Sequence, residues 1–202
     1  AVAYDTVFVQ CDAILYALDE YTGAQKWNFT DSIHHGPPAV ANGMVFIDGL
    51  QEVHSLNSTT GALKWSHLFG YLKYSRLAVA DGMVFTATWS EGKVYALNES
   101  TGSIVWSSVV LASTLEAAPV IVDDKVYMGG GNRIIYVLDK KTGALIRTYG
   151  PVGGYLNQGP VVAYGKLFVG TDGYDRTVYA IDEASGVVAV SYTHLRAHET
   201  VL

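Results

Sequence analysis

Basic residues and cysteines are scarce in this 202-residue chain. Thirteen Lys and Arg against nineteen Asp and Glu give a net charge of −6, which argues against a nucleic-acid partner because phosphate binding needs a basic face. The single cysteine, Cys11, cannot form an intrachain disulfide, so the redox compartment stays open. No apolar run approaches the roughly 20 residues of a spanning helix, so we expect no membrane-spanning segment.

Glycine and β-forming residues are abundant, and they recur with a period. The chain has 21 Gly and 14 Tyr, which favours short strands and tight turns over helices. Five segments align: YALDEYTGAQKW (16–27), HSLNSTTGALKW (54–65), YALNESTGSIVW (95–106), YVLDKKTGALIR (136–147) and YAIDEASGVVAV (179–190). Their glycines are spaced by 38, 41, 41 and 43 residues, the period of a β-propeller blade.

A second repeated block, such as AVANGMVFID (39–48) and AVADGMVFTA (78–87), precedes each of these segments. It predicts two strands around a two-residue turn, and Asn42-Gly43 and Asp81-Gly82 suit the primed turns of hairpins. Each unit therefore has four strands, predicted in the third unit at residues 78–80, 83–88, 93–97 and 104–109. A lone four-stranded sheet exposes two apolar faces, so the units must stack as blades.

The first repeated segment carries a structural motif. An Asp or Asn precedes the turn, where its side chain can accept backbone N–H bonds, and a Thr or Ser then a Gly follow. Three copies end in a Trp, whose buried ring suits a peg between neighbouring blades. The motif residues are Asp19, Thr22, Gly23, Trp27, Asn57, Thr60, Gly61, Trp65, Asn98, Thr101, Gly102, Trp106, Asp139, Thr142, Gly143, Asp182, Ser185 and Gly186.

The pattern A-x-(D/N)-x-x-(T/S)-G-x-x-x-W resembles the tryptophan-docking motif of the pyrroloquinoline-quinone-type (PQQ-like) repeat family of β-propellers. Ala17, Ala96 and Ala180 match its leading Ala, whereas Ser55 and Val137 depart from it. Arg147 replaces the fourth Trp, so that interface must be held differently. The repeats predict five blades, at about 1–31, 37–70, 76–110, 117–150 and 159–189. The resemblance implies that they form an open arc of a seven- or eight-bladed ring.

The repeat stops at Val190, where a fifth Trp is expected. Residues 190–200 resemble the translation of a sequencing-library adapter, so we predict that 190–202 is a non-native tail and that the native sequence ends near Ala189. His194, Arg196, His198 and Glu199 are accordingly assigned no role.

Loops from each outer strand to the next inner strand, and loops between second and third strands, share one face of a propeller. We expect ligands to bind on this face, where the composition suits protein or glycan contact. The candidate binding residues there are His34, His35, Tyr74, Trp89, Arg133, Asn157, Asp172 and Tyr174. The His34-His35 pair lacks nearby ligands for a metal, and the Asp172 region lacks a full calcium pattern, so no metal site is assigned.

Three functions fit these observations, and no catalytic residue is assigned. The first is a non-catalytic scaffold that binds protein or polysaccharide outside the cytoplasm, without a cofactor in this chain. The second, implied by the resemblance, is a fragment of a PQQ-dependent quinoprotein dehydrogenase, which would use PQQ and calcium; Cys11 lacks the neighbouring cysteine of such enzymes. The third is an outer-membrane protein assembly scaffold. An extracytoplasmic location follows from the resemblance, and the oligomeric state stays open.

Overall fold

The structure is a computed structural model that describes residues 1–11, 13–30, 36–69, 76–173 and 175–193. Twenty strands form five four-stranded antiparallel sheets within those residues. The first sheet contains β1 (Val2–Ala3), β2 (Thr6–Cys11), β3 (Ile14–Asp19) and β4 (Gln25–Thr30). The second contains β5 (Ala39–Ala41), β6 (Met44–Asp48), β7 (Glu52–Asn57) and β8 (Leu63–Leu68). The predicted all-β fold is confirmed.

The remaining three sheets repeat this order of strands. The third contains β9 (Ala78–Ala80), β10 (Met83–Thr88), β11 (Lys93–Asn98) and β12 (Ile104–Ser107). The fourth contains β13 (Val120–Val122), β14 (Lys125–Gly129), β15 (Ile135–Asp139) and β16 (Leu145–Tyr149). The fifth contains β17 (Val161–Ala163), β18 (Lys166–Gly170), β19 (Thr177–Asp182) and β20 (Val188–Thr193).

Every sheet is a meander whose first hairpin turns tightly. The central residues of the β5–β6 turn, Asn42 and Gly43, have φ angles of 47° and 75°, as a type I′ turn requires. The β9–β10 turn repeats this geometry at Asp81 and Gly82, with φ angles of 51° and 74°. These turns follow the right-handed twist of the flanking strands, so the sequence pairs Asn-Gly and Asp-Gly set the hairpin register.

The pairing of third and fourth strands shifts register once in every sheet, next to the motif position that Ala17 occupies in the first. In the third sheet Ala96 lies opposite Trp106, and the following Leu97 lies opposite Ile104. Such a bulge bends the outer strand and re-aims its side chains. The repeated bulge places the Trp position equivalently in every copy of the motif.

The sheets pack face to face in chain order and form an open arc. Phe46, Val53 and Trp65 of the second sheet share a buried cluster with Val84 and Leu97 of the third. Because strand side chains alternate between faces, each sheet contributes one apolar set to each neighbour. This stacking buries both faces of the inner sheets, as expected for propeller blades.

The observed strand ends differ slightly from the predicted ones in the third sheet. The outer strand β12 ends at Ser107, two residues before the predicted end. Beyond it the Ser108 side chain replaces a backbone partner, because the Val94 N–H donates to Ser108 Oγ at 3.0 Å. The third strand β11 extends one residue further than predicted, to Asn98.

The outer strand of the fifth sheet, β20, continues through Val190 to Thr193. Val190 lies opposite Ala180, and Ser191 lies opposite Tyr179. An edge strand is held by backbone groups that every sequence carries, so this pairing does not test the origin of residues 190–193. The prediction of a non-native tail stays a prediction, and residues 194–202 lie outside the described part.

Candidate binding face

The repeated turn between third and fourth strands is held by the motif side chains. In the third sheet, Asn98 Oδ1 accepts hydrogen bonds from the N–H groups of Ser100 and Thr101, both at 3.0 Å, and from the Thr101 hydroxyl at 3.1 Å. Gly102, at a φ of 70°, closes the turn. These turns and the first hairpins of all five sheets lie at one side of the arc, which we call the lower face.

Three joints between neighbouring sheets are filled by Trp side chains near the lower face. The indole N–H of Trp65 donates to the Glu99 carbonyl at 2.8 Å, and that of Trp106 donates to the Lys140 carbonyl at 2.9 Å. Trp27 donates likewise to the Ser58 carbonyl at 3.1 Å. Each ring therefore satisfies its one donor on the next sheet while burying its apolar surface.

The ring also packs flat against the turn glycine of the next sheet. A Cβ atom at Gly102 would lie 2.5 Å from Trp65, and one at Gly143 would lie 2.4 Å from Trp106. Only glycine therefore permits this approach, in addition to its tolerance of positive φ. The motif glycine and the Trp of the preceding sheet are a matched pair.

The opposite side of the arc, the upper face, carries the β2–β3-type loops and the connections from outer to inner strands. Backbone hydrogen bonds tie these two kinds of loop together. The Gly131 N–H donates to the Thr114 carbonyl at 3.0 Å, and Tyr155 and Asp172 exchange two N–H···O bonds of 3.0 Å. Around the fourth and fifth sheets, the described loops of the upper face are therefore held to one another by backbone bonds.

Tyrosines of the repeated segment contribute to this fixation, a role that sequence reasoning missed. The Tyr136 hydroxyl donates to the Leu111 carbonyl, and the Tyr95 hydroxyl donates to Glu91. The Tyr179 hydroxyl donates to Asp175, and the hydrogen bonds from the Thr177 hydroxyl and from Tyr179 lower the pKa of that carboxyl. Each of these tyrosines is the first residue of a repeated segment, and this recurrence could have predicted a shared role.

A cleft of roughly 220 Å³ opens on the upper face beside the fourth sheet, between the connections that precede and follow that sheet. A carboxylate, an amide, a hydroxyl and a phenol ring line it. The Trp89 indole N–H donates to Glu116 Oε1 at 3.0 Å and so fixes this carboxylate at the edge of the cleft. The lining residues are Thr114, Glu116, Gly131, Tyr155 and Asn157.

The described candidate residues lie near this cleft to different degrees. Asn157 lines it, and Trp89 holds its carboxylate. Asp172 pairs through its backbone with Tyr155, and Arg133 lies exposed at the tip of the β14–β15 loop. The candidates His34, His35, Tyr74 and Tyr174 lie outside the described residues. Thr114, Glu116 and Tyr155 were missed because they lie in connections that do not repeat.

A buried carboxylate, Asp48, lies at the upper end of the joint between the second and third sheets. It is 1% exposed, and neither of its oxygens has a hydrogen-bond partner on another residue in the described part of the chain. Oδ1 packs against Gly36, where a Cβ atom would be 2.5 Å away. Burial raises the pKa of Asp48 to about 7, although the positive charge of Arg76 opposes this shift.

The described residues do not fit a calcium-bound quinone site. Within these residues no group of three His, Cys, Asp or Glu side chains is placed to hold a metal ion. The free Cys11 is exposed, with no second cysteine in the chain to form a disulfide. Calcium takes six to eight oxygen ligands, with Asp and Glu carboxylates among them, and the described part of the chain brings no three such side chains together for a metal.

The described residues contain no helix that is long and apolar enough to cross a membrane. Comparison with curated proteins gave no match. Among solved structures, the chain is similar to BamB from Moraxella catarrhalis, with a TM-score of 0.77 and 19% identity over 95% of this chain. The chain spans 62% of that protein.

Two enzymes show similar folds. The europium-containing methanol dehydrogenase matches with a TM-score of 0.75 and 16% identity over 96% of this chain and 50% of its own. Quinohemoprotein alcohol dehydrogenase from Comamonas testosteroni matches with a TM-score of 0.65 and 19% identity over 78% of this chain and 34% of its own. At these identities the likenesses establish the fold alone.

A family model covers most of the chain. It is described as outer membrane protein assembly factor BamB, and it matches residues 11–150 and, in a second overlapping match, residues 90–200. The two matches together include all five copies of the repeated segment. The chain therefore belongs to the PQQ-like repeat family of β-propellers that this model describes.

Proposed function

We propose that this propeller is a non-catalytic scaffold that binds protein partners outside the cytoplasm, in the assembly of outer-membrane proteins. The observation that carries the proposal is the match to the family model of an outer membrane protein assembly factor over residues 11–150 and 90–200. The similar solved structure of BamB supports the same assignment. The family description also supports an extracytoplasmic location.

The chemistry of the upper face suits this role. Glu116, Asn157 and Thr114 offer hydrogen-bonding groups to peptide N–H and C=O groups, and the half-exposed Tyr155 ring offers apolar area. Tyr is enriched at protein interfaces because it combines both properties. Since backbone bonds already fix these loops, a partner would not have to order them on binding.

A fragment of a PQQ-dependent dehydrogenase is the second candidate, favoured by the similar methanol dehydrogenase fold. It requires a calcium donor set that the described residues do not assemble. To test this, the complete protein is titrated with PQQ and Ca²⁺, and the absorbance of the quinone is recorded during the titration. A saturable, calcium-dependent shift would favour the enzyme over the scaffold.

The scaffold itself is tested by crosslinking in the source cells. A photo-crosslinking phenylalanine analogue replaces Tyr155 in the complete protein, and the matched control replaces Tyr21, which is 80% exposed on the lower face. We expect a discrete crosslink to an envelope protein from position 155 and none from position 21. Crosslinks to polysaccharide only, equal products from both positions, or no product at 155 would contradict the proposal.

A further inference from the structure

The β5–β6 turn on the lower face contains the one Asn-Gly pair of the sequence, Asn42-Gly43. Each of the other asparagines is followed by a residue with a side chain. Glycine has no Cβ atom, so the backbone nitrogen next to the Asn42 amide is not shielded by a side chain of its own residue. Asparagine is also among the thermolabile residues of proteins. This turn is therefore the place in the chain where an asparagine is most open to chemical change.

The reaction available to this pair is deamidation. The backbone nitrogen of Gly43 attacks Cγ of Asn42, so that an N–Cγ bond forms and the Cγ–Nδ2 bond breaks. Ammonia leaves, and water carries to it the proton that the Gly43 nitrogen gives up. A second water molecule then opens the cyclic imide at one of its two carbonyls and yields an aspartate or an isoaspartate. The net change is an NH2 group replaced by an OH group, and water is the only co-reactant.

The structure restrains both reacting groups of the turn. The Gly43 N–H donates to the Tyr4 hydroxyl oxygen at 2.9 Å, which holds the proton on the attacking nitrogen. The Asn42 side-chain amide donates to both carboxylate oxygens of Glu99, at 2.9 and 3.1 Å. Glu99 is buried, with 3% of its surface exposed. Tyr4 belongs to the first sheet and Glu99 to the third, so the turn is held from both neighbouring sheets.

The next two joints show which groups meet at this level of the lower face. Asp81 occupies in the third sheet the place of the turn asparagine, and its Oδ2 lies 2.7 Å from Lys140 Nζ of the fourth sheet. Lys125 Nζ of the fourth sheet lies 2.5 Å from Glu183 Oε1 of the fifth. In both joints a carboxylate faces a cation. Glu99 instead faces a neutral amide, so its joint has no positive charge at this place to accept a second carboxylate.

We propose that Asn42 is a modification site, where deamidation places a carboxylate against Glu99 and loosens the joint between the second and third sheets. The product can no longer donate the two hydrogen bonds of the amide, and like charges at this partly buried position repel. The Tyr4 hydroxyl slows the reaction by holding the proton of the attacking nitrogen. The site is on the lower face and does not depend on the upper-face proposal.

The first test measures the reaction in the whole chain at pH 8. Tandem mass spectrometry of the tryptic peptide 27–64 follows the replacement of NH2 by OH at Asn42, in the folded chain and in the chain unfolded by urea. We expect measurable replacement in the folded chain, at a rate about tenfold or more below that of the unfolded chain. No replacement at Asn42 in the folded chain, or equal rates in the two states, would overturn the proposal.

A pair of variants isolates the restraint at the turn nitrogen. Tyr4→Phe removes only the hydroxyl oxygen, and we expect the folded-state rate at Asn42 to rise about threefold or more, the worth of one hydrogen bond. Tyr21→Phe makes the same change at an exposed tyrosine elsewhere on the lower face and should leave the rate unchanged. Equal rates in the two variants would show that Tyr4 does not protect the turn.

The effect on the joint is measured separately, by urea denaturation. Asn42→Asp supplies the carboxylate directly, and we expect the equilibrium constant for unfolding to rise about tenfold. Combining it with Glu99→Gln puts an amide opposite the carboxylate, so most of this loss should be recovered. Asn28→Asp makes the same change on the exposed edge strand β4 and should have no effect. No loss in Asn42→Asp, or a loss that Glu99→Gln does not recover, would contradict the assigned contact.

Discussion

The Trp106 joint and the Arg147 joint perform the same structural task with different chemistry. Trp106 is 7% exposed, donates one hydrogen bond to the Lys140 carbonyl and covers Gly143. Arg147 donates two hydrogen bonds to the fifth sheet, but its nearest atom lies 3.2 Å from a Cβ position at Gly186. Both joints bury an apolar cluster, so the difference lies at the motif position, which is apolar in the first joint and polar in the second.

This difference teaches what the motif residue contributes beyond a hydrogen bond. The carbonyl at the start of the turn is satisfied in both joints, so its partner is interchangeable. The indole also fills space, and a cleft of roughly 550 Å³ lies on the lower face at the joint where Arg147 replaces it. A repeat protein that departs from its motif at one joint can therefore keep its stacked sheets while an additional cleft lies at that joint.

The largest expected effect is the loss of a buried indole. Trp65→Ala should lower the free energy of unfolding by about 3–5 kcal/mol, as core aromatic truncations do. Arg147→Ala should lower it by only about 1–2 kcal/mol, the worth of its two hydrogen bonds. Urea denaturation of both variants measures the difference. A loss for Arg147→Ala as large as that for Trp65→Ala would break the comparison.

The turn glycines offer a second comparison of joints. Gly102→Ala places a methyl group against Trp65 and should cost about 1–3 kcal/mol for overpacking, in addition to about 1–2 kcal/mol for positive φ. Gly23→Ala has the same strain at a φ of 72° but no atom within 4 Å of the new methyl group. Equal thermal destabilisation of the two variants would show that the Trp contact is irrelevant.

The two kinds of joint should respond to pH in opposite directions. The pKa of buried Asp48, about 7 when folded and 3.8 ordinarily, means that the folded state holds a proton that the unfolded state has released. Stability should therefore fall as the pH rises from about 4 to 7. Asp48→Asn should remove this dependence and stabilise the protein at pH 8 by on the order of 2 kcal/mol. A variant with the wild-type pH profile would contradict the assignment.

The smallest effect is expected from the ion pair at the fourth joint. The lowered pKa of Glu183 contributes stability above its ordinary value of 4.5, which is lost as the pH falls through the lower folded value. Because the pair is partly exposed, Glu183→Gln should cost only about 0.2–1 kcal/mol at pH 7. Unfolding midpoints at pH 7 and pH 3 measure this, and the cost should be smaller at pH 3 than at pH 7.

The repeat made most of the fold predictable. Because the motif recurs with a Gly at a fixed place, both the turn at Gly102 and the four strands around it could be located from the sequence. The strand ends differed by up to two residues, since the Ser108 side chain took over a backbone partner. A side chain that replaces a backbone hydrogen-bond partner in one sheet only cannot be predicted from the repeat.

The candidate sites were less predictable. Asn157 and Trp89 were chosen by loop position, but Glu116, which they surround, lies in a connection without a repeat. The departure at Arg147 was visible in the sequence, whereas the cleft beside it depends on how two sheets meet. Alternation of side chains put Asp48 on a buried face, but only the packing shows that no other residue in the described part of the chain hydrogen-bonds to its carboxylate.

The central claim is that indole bulk, rather than the hydrogen bond, closes a joint, and amide hydrogen exchange tests it most directly. The Gly143 N–H donates to Asp139 O and the Gly186 N–H donates to Asp182 O, both at 2.8 Å, so the two amides differ mainly in what covers them. We predict slower exchange at Gly143 than at Gly186, and Arg147→Trp should slow Gly186 to the Gly143 rate. Unchanged exchange at Gly186 in that variant would contradict the account.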